Sequence, residues 1–296
     1  MRIVAIGEIL WDVFPGSEHL GGAVFNLAAH ARRLGHEVFF VSAVGEDERG
    51  HKARERMGHL NLFPRFLRCV PDQATGIVSV RLDEAGQPDF TIQRPAAYDF
   101  AALSDEDLAE LVAWRPDWLC FGTLHQMHPQ ARRLTQRLTE ALEGTRRFYD
   151  VNLRKHNYTP DLVVQLMRLA QVVKLNQDEA QQIQQMLGRP RLPLRDFAAR
   201  FAEEFDWEAV AITRGADGCA LWLRGAWTES PGYPVRVVDT VGSGDAFAAA
   251  FLHGLGAGWP PERIADFANR VGALVAARAG AVPEFSLEEC WALNRA

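Results

Sequence analysis

The sequence predicts an α/β fold with a central, mostly parallel sheet, helices on both of its faces and a small β-strand lid. Short apolar runs typical of buried strands alternate with stretches of helical periodicity along most of the chain. One hairpin-like region interrupts this alternation and predicts the lid. The predicted strands of the central sheet are residues 3–7, 38–45, 117–122, 147–151, 172–176 and 209–213.

Helices are predicted between these strands. The stretch "AVFNLAAHARRLG" predicts a helix that ends at Gly35. Another helix is expected to begin near Ser104, where "SDED" predicts a capping box with Asp107 in place of the usual Glu. Residues 245–279 are predicted to be helical throughout.

The lid prediction depends on two segments. Residues 74–98 contain two β-rich runs, joined by "DEAGQ" as a hairpin turn around Gly86. Residues 10–20 have no helical periodicity and are expected to join this hairpin. A second hairpin is predicted over 218–230. We expect one domain over residues 1–296, with lid strands inserted at about 10–20 and 74–98.

Composition excludes several classes of function. The net charge is −6 and no basic run occurs, which disfavours nucleic acid as a partner. The four cysteines are scattered, so neither a zinc site nor a disulfide framework is expected, and Cys120 is predicted to be a buried, inert thiol. Because no apolar run approaches ~18 residues and "MRIVAIGEILWD" is unlike a signal peptide, we expect a cytoplasmic protein without a membrane span.

The stretch "DTVGSGDAFAAAF", residues 239–251, combines an anion site with a carboxylate. Gly242 and Gly244 let the backbone N–H groups of Gly242, Ser243 and Gly244 converge on an anion at a helix start. Asp245 makes sense there if the anion is a phosphoryl group and the carboxylate accepts a proton from the acceptor hydroxyl. A tight turn with Asp245 as a helix cap is an equally open reading of the stretch alone.

Other phosphate-binding and nucleophile motifs do not match. The nearest approach to a Walker A motif is "GEDERGHKA", which has His51 at the lysine position. No strand–GxGxxG–helix, protein-kinase set or GxSxG elbow occurs. Polar residues instead follow the predicted strands, at the edge where open parallel sheets bind ligands. They are Asp12 and the segments 150–154, 176–179 and 213–218.

Together these motifs resemble the ribokinase-like, or PfkB, carbohydrate kinases. "DTVGSGDAFAAAF" resembles the family's signature D-T-x-G-[AS]-G-D, and "GGAVFNLAAHARRLG" with "VSAVGEDERG" resembles its N-terminal signature. "NQDE" is similar to its Asn-x-x-Glu, and "TRGADG" to its nucleotide-binding turn. The likeness runs from Gly7 to about Gly280. Arg94 and "DVNLR" resemble the fructokinase and 2-keto-3-deoxygluconate kinase branch more than ribokinase or adenosine kinase.

The resemblance implies a ribokinase-like fold and ATP-dependent transfer of a phosphoryl group to a sugar hydroxyl, with fructose as the first choice. Asp245 would be the general base, and the amides of Gly242, Ser243 and Gly244 would form the anion hole. The implied sugar-binding residues are Asp12, Gly22, Asn26, Arg94, Asn152 and Arg154.

The resemblance also implies ATP and Mg²⁺. Asn176 and Glu179 would hold Mg²⁺ and the phosphates through water, since Mg²⁺ tends to keep its waters. Asp239 would either brace its loop or contribute to a monovalent cation (K⁺) site. The residues implied to line the nucleotide are Thr213, Gly215, Gly218 and Asn269.

Several alternatives stay open. The acceptor could be 2-keto-3-deoxygluconate, a nucleoside or another sugar, and a carboxylated acceptor would need a cation such as Arg94 or Arg154. A binding module without turnover is a third reading. Phe25 belongs either to the core or to the sugar pocket, and His125 is either structural or in contact with substrate. A homodimer through the lid strands is expected, because edge strands invite pairing.

Overall fold

The computed structural model describes residues 1–82 and 88–295. The strands are β1 (Arg2–Ile6), β2 (Leu10–Phe14), β3 (Ser17–Gly21), β4 (Glu37–Gly45), β5 (Leu67–Val70), β6 (Gly76–Leu82), β7 (Pro88–Ile92), β8 (Trp118–Gly122), β9 (Arg146–Asp150), β10 (Val172–Asn176), β11 (Ala209–Thr213), β12 (Cys219–Leu223) and β13 (Ala226–Ser230). The α-helices are α1 (Ala23–Arg33), α2 (Glu48–His59), α3 (Asp105–Trp114), α4 (Pro129–Ala141), α5 (Pro160–Leu169), α6 (Gln177–Met186), α7 (Leu194–Phe205), α8 (Ser243–Gly256), α9 (Pro261–Ala276) and α10 (Leu287–Ala292).

The larger sheet has nine strands in the order β13-β12-β11-β10-β9-β8-β1-β4-β5. The run from β11 to β5 is parallel, and the β12–β13 hairpin adds two antiparallel strands at one edge. The chain winds outward from β1 in both directions. This reversal of strand order lies beside β1, where doubly wound sheets bind their ligands beyond the carboxyl ends of the strands.

Both faces of this sheet are buried, which explains the continuous apolar runs of its strands. In β1, Ile3 and Ala5 join the core under α1, α8 and α9. Their neighbours Val4 and Ile6 point to the opposite face and join the core under α4, α5 and α7. The predicted α/β layers are therefore confirmed.

A smaller sheet has the order β3-β2-β6-β7. β2 pairs parallel with β6 from Leu10↔Gly76 onward, and the outer pairs are antiparallel. Residues 10–20 thus do join the hairpin of residues 74–98. The predicted turn "DEAGQ" around Gly86 lies outside the described residues.

Of the predictions for single elements, the capping box at Ser104 is confirmed, and the continuous helix over 245–279 is not. Ser104 Oγ accepts a hydrogen bond from the Asp107 amide at 3.1 Å, and Asp107 Oδ2 accepts one from the Ser104 amide at 3.0 Å, which confirms the capping box. The continuous helix over 245–279 is wrong, because Gly258, with φ of 66°, and Pro260 separate α8 from α9. β5 escaped prediction because it is a four-residue edge strand.

The four cysteines of the described chain differ in exposure. All four are free thiols, and Cys120 is fully buried in β8. Burial raises the pKa of the Cys120 thiol well above its usual range, so the thiol is inert. Among the described residues, no helix combines the length and apolarity that a membrane crossing requires.

Candidate active site

A cleft of about 400 Å³ opens beyond the carboxyl ends of the central strands, between the start of α8 and the smaller sheet. It brings together many residues that the sequence places in different motifs. The predicted site residues that line it are Asp12, Gly22, Asn26, Asn152, Arg154, Asn176, Thr213, Asp239, Gly242, Gly244 and Asp245.

The start of α8 requires a glycine at position 242. Gly242 is the N-cap residue with φ of 78°, and a Cβ there would lie 2.2 Å from the carbonyl oxygen of Ala281. No side chain caps this helix end, and the Ser243 hydroxyl donates instead to the Thr240 carbonyl at 2.8 Å. The Ser243 amide also donates to the Thr240 carbonyl, at 3.3 Å, whereas the amides of Gly242 and Gly244 donate to no protein acceptor in the described chain. These two amides are therefore open to an anion, and the predicted contribution of Ser243 would require its bond to Thr240 to break.

Asp245 is buried within the first turn of α8, with 8% of its surface exposed. Its Oδ2 accepts a hydrogen bond from Asn26 Nδ2 at 2.8 Å, so the alternative of a helix cap is wrong. Burial and the nearby charge of Asp150 raise the pKa of Asp245 to about 7, while Lys174 and Asn26 oppose that rise. Its pKa suits a general base at neutral pH.

An ion pair lies beside Asp245 that sequence reasoning missed. Lys174 Nζ, from β10, lies 3.1 and 3.2 Å from the two carboxylate oxygens of Asp150 at the end of β9. Burial opposes the charge on Lys174, but Asp150, Glu179 and Asp245 hold its pKa above the ordinary value. The signal was present, because a lysine interrupts the apolar strand "VVKLN".

The sugar-side residues lie around the beginning of α1. Gly22 has φ of 119°, and a Cβ there would lie 2.3 Å from the backbone oxygen of Glu8. Asp12 extends from β2, and burial raises its pKa to about 6. Glu8, which the sequence analysis did not single out, also lines the cleft, and its Oε1 accepts a hydrogen bond from the Ala23 amide at 2.8 Å.

Arg94 does not lie with these residues. Its guanidinium forms an ion pair with Asp99 and donates to the carbonyl of Leu124 at 2.6 Å. The guanidinium of Arg94 thus binds two groups of the protein itself, and Arg94 is not among the residues that line the cleft. Its predicted contact with the sugar is therefore not supported by this arrangement.

Two other residues with open roles are structural. His125 is fully buried, and its Nε2 lies 3.0 Å from the carbonyl oxygen of Tyr98. Phe25 is buried and packs edge-on against Phe40, with ring centroids 5.6 Å apart. Phe25 thus belongs to the core rather than to the sugar pocket.

Asn176 and Glu179 form a capping box at the start of α6. Asn176 Oδ1 accepts from the Glu179 amide at 2.8 Å, and Glu179 Oε2 accepts from the Asn176 amide at 2.8 Å. Glu179 Oε1 accepts from the Leu153 amide at 2.8 Å. Because backbone amides occupy both carboxylate oxygens, the pair fits Mg²⁺ through water rather than by direct coordination. The described residues contain no cluster of three or more acidic, His or Cys ligands.

A second cavity of about 660 Å³ continues from the cleft, since Thr213, Thr240 and Gly244 line both. Its other predicted residues are Gly215, Gly218, Ser243 and Asn269. Gly218, with φ of 88°, packs against the Ser230 carbonyl, which a Cβ would meet at 2.2 Å. The Asn269 amide holds the same segment by donating to the carbonyls of Ser230 and Pro231, each at 3.2 Å.

Asp239 braces the loop before α8. Its Oδ1 accepts from the Val241 amide at 3.0 Å, and its Oδ2 accepts from the Gly280 amide at 3.1 Å. It also lines the cleft near Asp12. Of its two predicted roles, the bracing contacts are present, and the monovalent cation stays a prediction.

Two connected cavities, an open helix start and a buried carboxylate define a phosphotransferase site on a doubly wound fold. Comparison with known families matches residues 7–287 to the pfkB family carbohydrate kinases. The chain therefore belongs to the pfkB family and is a carbohydrate kinase.

Several proteins that are similar to this chain in sequence or structure are fructokinases. The fructokinase of Klebsiella pneumoniae is 30% identical over 280 residues, covering 90% of this chain and 88% of the relative. The ATP-bound fructokinase structure from Xylella fastidiosa has a TM-score of 0.85 at 22% identity and covers 98% of this chain and 97% of its own. A Vibrio cholerae fructokinase double mutant, in a form with bound fructose, ADP and potassium ion, has a TM-score of 0.81 at 23% identity. The match covers 99% of this chain and 97% of the mutant's chain.

Proposed function

We propose that the protein transfers the γ-phosphoryl group of ATP to a hydroxyl group of fructose. The observation that carries this proposal is the position of Asp245. Its buried carboxylate lies in the first turn of α8, next to open amides and where the two cavities meet. The larger cavity suits the nucleotide and the cleft suits the sugar.

Transfer follows from this arrangement. Asp245 accepts the proton of the attacking hydroxyl, whose oxygen forms a bond to the γ-phosphorus. The bond between that phosphorus and the bridging oxygen breaks, and ADP leaves. The amides of Gly242 and Gly244 donate to the phosphoryl oxygens as their charge redistributes, and the Ser243 amide joins them if it exchanges its bond to the Thr240 carbonyl for one to the phosphate. The hydrogen bond from Asn26 keeps the Asp245 carboxylate in place.

The nucleotide lies against Thr213, Gly215, Gly218 and Asn269 in this proposal. Asn176 and Glu179 would help to hold Mg²⁺ through water, and the ion would neutralise phosphate charge. Asn176 lines the cleft, whereas Glu179 acts from behind it by fixing the Asn176 and Leu153 amides. A K⁺ ion near Asp239 would bind through carbonyl oxygens of the same loop.

The sugar lies among Asp12, Gly22, Asn26, Asn152 and Arg154. The cleft is lined by the carboxylates of Glu8, Asp12, Asp239 and Asp245. Carboxylates accept hydrogen bonds from the hydroxyl groups of a neutral sugar, and they would repel the carboxylate of a sugar acid. Of the lysines and arginines that line the cleft in the described chain, Lys174 lies beside Gly244 at the start of α8, which leaves Arg154 for an anionic group of the sugar. This balance favours fructose over 2-keto-3-deoxygluconate. Fructose itself comes from the names of the relatives.

A panel of acceptors tests the proposal through coupled ADP release. Fructose, other hexoses, ribose, nucleosides and 2-keto-3-deoxygluconate would be compared by kcat/KM. We expect fructose to rank first. A higher kcat/KM for the sugar acid would replace fructose with that alternative. Calorimetric binding of sugar and ATP without ADP formation would instead support a binding module.

We further propose a single cytoplasmic domain that forms a homodimer through the smaller sheet. β3 and β7 are the edges of that sheet, and exposed strand edges can pair with a second copy. Four free cysteines fit a reducing compartment. Sedimentation tests the dimer, since a profile that fits the 33.1 kDa chain would refute it.

A further inference from the structure

The Lys174–Asp150 ion pair has no role in the transfer described so far, yet it lies at the centre of the site. Lys174 lines the cleft and has a side chain that is only 7% exposed. Its Nζ would lie 3.2 Å from a Cβ placed on Gly244. The ammonium group therefore lies directly beside Gly244, one of the residues of the proposed anion hole.

The hydrogen-bonding of Lys174 is incomplete. An ammonium group has three N–H donors, and Asp150 is the hydrogen-bond acceptor that the described residues offer it. Both Asp150 oxygens are at nearly equal distances from Nζ, a geometry that one shared or two separate N–H groups satisfy. At least one donor is thus left for a group in the cleft. A buried ammonium with a spare donor gains most from an anionic partner.

The surrounding charge points the same way. Asp150, Glu179 and Asp245 are the carboxylates whose charges act on Lys174. Both oxygens of Glu179 already accept backbone amides, and Asp245 is bound to Asn26. Lys174 therefore keeps a single strong partner and remains available on its cleft side.

We propose that Lys174 Nζ binds an oxygen of the transferred phosphoryl group, and that Asp150 is the positioning residue that holds Lys174 for this contact. The proposal rests on the proposed phosphoryl transfer and adds a residue to it. A compact ammonium on a flexible stem can reach a phosphoryl oxygen beside Gly244 without leaving Asp150. Its positive charge then lies where charge builds up during transfer.

The competing explanation is a purely structural ion pair. Removing one member of a buried pair leaves an uncompensated charge and destabilises the fold whatever its function. Removing both charges avoids that cost, and such replacements often leave stability unchanged. The double variant Lys174→Met/Asp150→Asn therefore separates the two explanations.

The double variant would be compared with wild type for Tm, kcat and the KM of the sugar that the acceptor panel identifies. We expect a Tm within a few degrees of wild type and a kcat that is lower by a factor on the order of 10². Asp150→Asn alone keeps the ammonium and should lose less than about tenfold. A double variant with kcat within about threefold of wild type would overturn the proposal.

A binding measurement without turnover gives a second readout. Calorimetry would compare ADP with a non-hydrolysable ATP analogue, because only the analogue carries the γ-phosphate. The preference for the analogue should fall about tenfold in the double variant, and an unchanged preference would also overturn the proposal. If wild type itself neither binds ATP nor forms ADP, the proposed function fails, which is a different result.

The chain offers a matched control at the other end of the same strands. Arg146 and Glu208 form an ion pair at 2.7 Å, at the amino end of β9 and just before β11, away from the cleft. Arg146→Met/Glu208→Gln also removes one cation and one carboxylate, from a pair whose side chains are 32% and 35% exposed. It should leave kcat and the analogue preference unchanged, so that a shared loss would indicate general damage rather than a role for Lys174.

Discussion

At the level of single residues, the surroundings of one carboxylate, Asp245, decide its chemistry. Asp245 is removed from water, lies near a second acid and keeps one hydrogen bond from Asn26. Those surroundings raise its pKa to about 7. The motif placed Asp245 correctly from sequence, but its partner lies 219 positions away and no local pattern reveals it.

The pH dependence of catalysis follows from that pKa. Only the ionised form of Asp245 accepts a proton, so kcat/KM should rise with pH and reach half of its plateau near pH 7. Asn26→Ala removes a hydrogen bond that favours the ionised form, and it should move the midpoint to higher pH. Steady-state rates from pH 5 to 9 check both. A midpoint near pH 4 in wild type would show that the carboxylate is not shifted.

The free energy of unfolding should depend on pH in the opposite direction to kcat/KM. Because the folded state raises the pKa of Asp245 above its ordinary 3.8, protonated Asp245 stabilises the fold at low pH, and this contribution disappears as pH rises through about 7. Asp245→Asn removes the buried charge and should raise the free energy of unfolding at pH 8 by up to about 4 kcal/mol. Thermal denaturation at pH 5 and pH 8 tests this, and a gain confined to pH 5 would contradict it.

At the scale of the element, the start of α8 is the decisive structure. Gly242 turns the chain with a positive φ and packs against the Ala281 carbonyl, and the amides of Gly242 and Gly244 have no protein acceptor in the described chain. The sequence predicted this helix start well because the glycine pattern is local. It did not predict where α8 ends, since a break of four residues is hidden within an alanine-rich helical pattern.

A pair of glycine substitutions tests the helix start. Gly242→Ala should lower kcat/KM for ATP by at least tenfold, because its Cβ would lie 2.2 Å from the Ala281 oxygen and the amides would shift. Gly258→Ala is the control, since Gly258 also has a positive φ (66°) but open space around its Cβ. Both substitutions place alanine in the left-handed region, at a cost of about 1–2 kcal/mol, and only Gly242→Ala adds a clash with backbone. Equal effects on kcat/KM would mean that strain alone, rather than the anion hole, explains the loss.

At the scale of the whole molecule, the sequence predicted the layers and the edge of the sheet at which the site forms. Residues after four strands meet there because parallel strands end at the same edge. The sequence did not predict which side chains pair between neighbouring strands, and the clearest case is the ion pair between Lys174 of β10 and Asp150 of β9. Arg94 was assigned to the sugar from a motif resemblance alone. That resemblance did not reveal that Asp99, five positions later, binds the Arg94 guanidinium.

A single conservative substitution distinguishes Asp245 as the base of a kinase from Asp245 as a structural carboxylate. Asp245→Asn should lower kcat by a factor on the order of 10² or more, because the amide cannot accept the hydroxyl proton. Calorimetry should find ATP binding within about threefold of wild type. Asp196→Asn, an exposed aspartate in the first turn of α7, is the control and should change neither quantity. An unchanged kcat in Asp245→Asn would contradict the account.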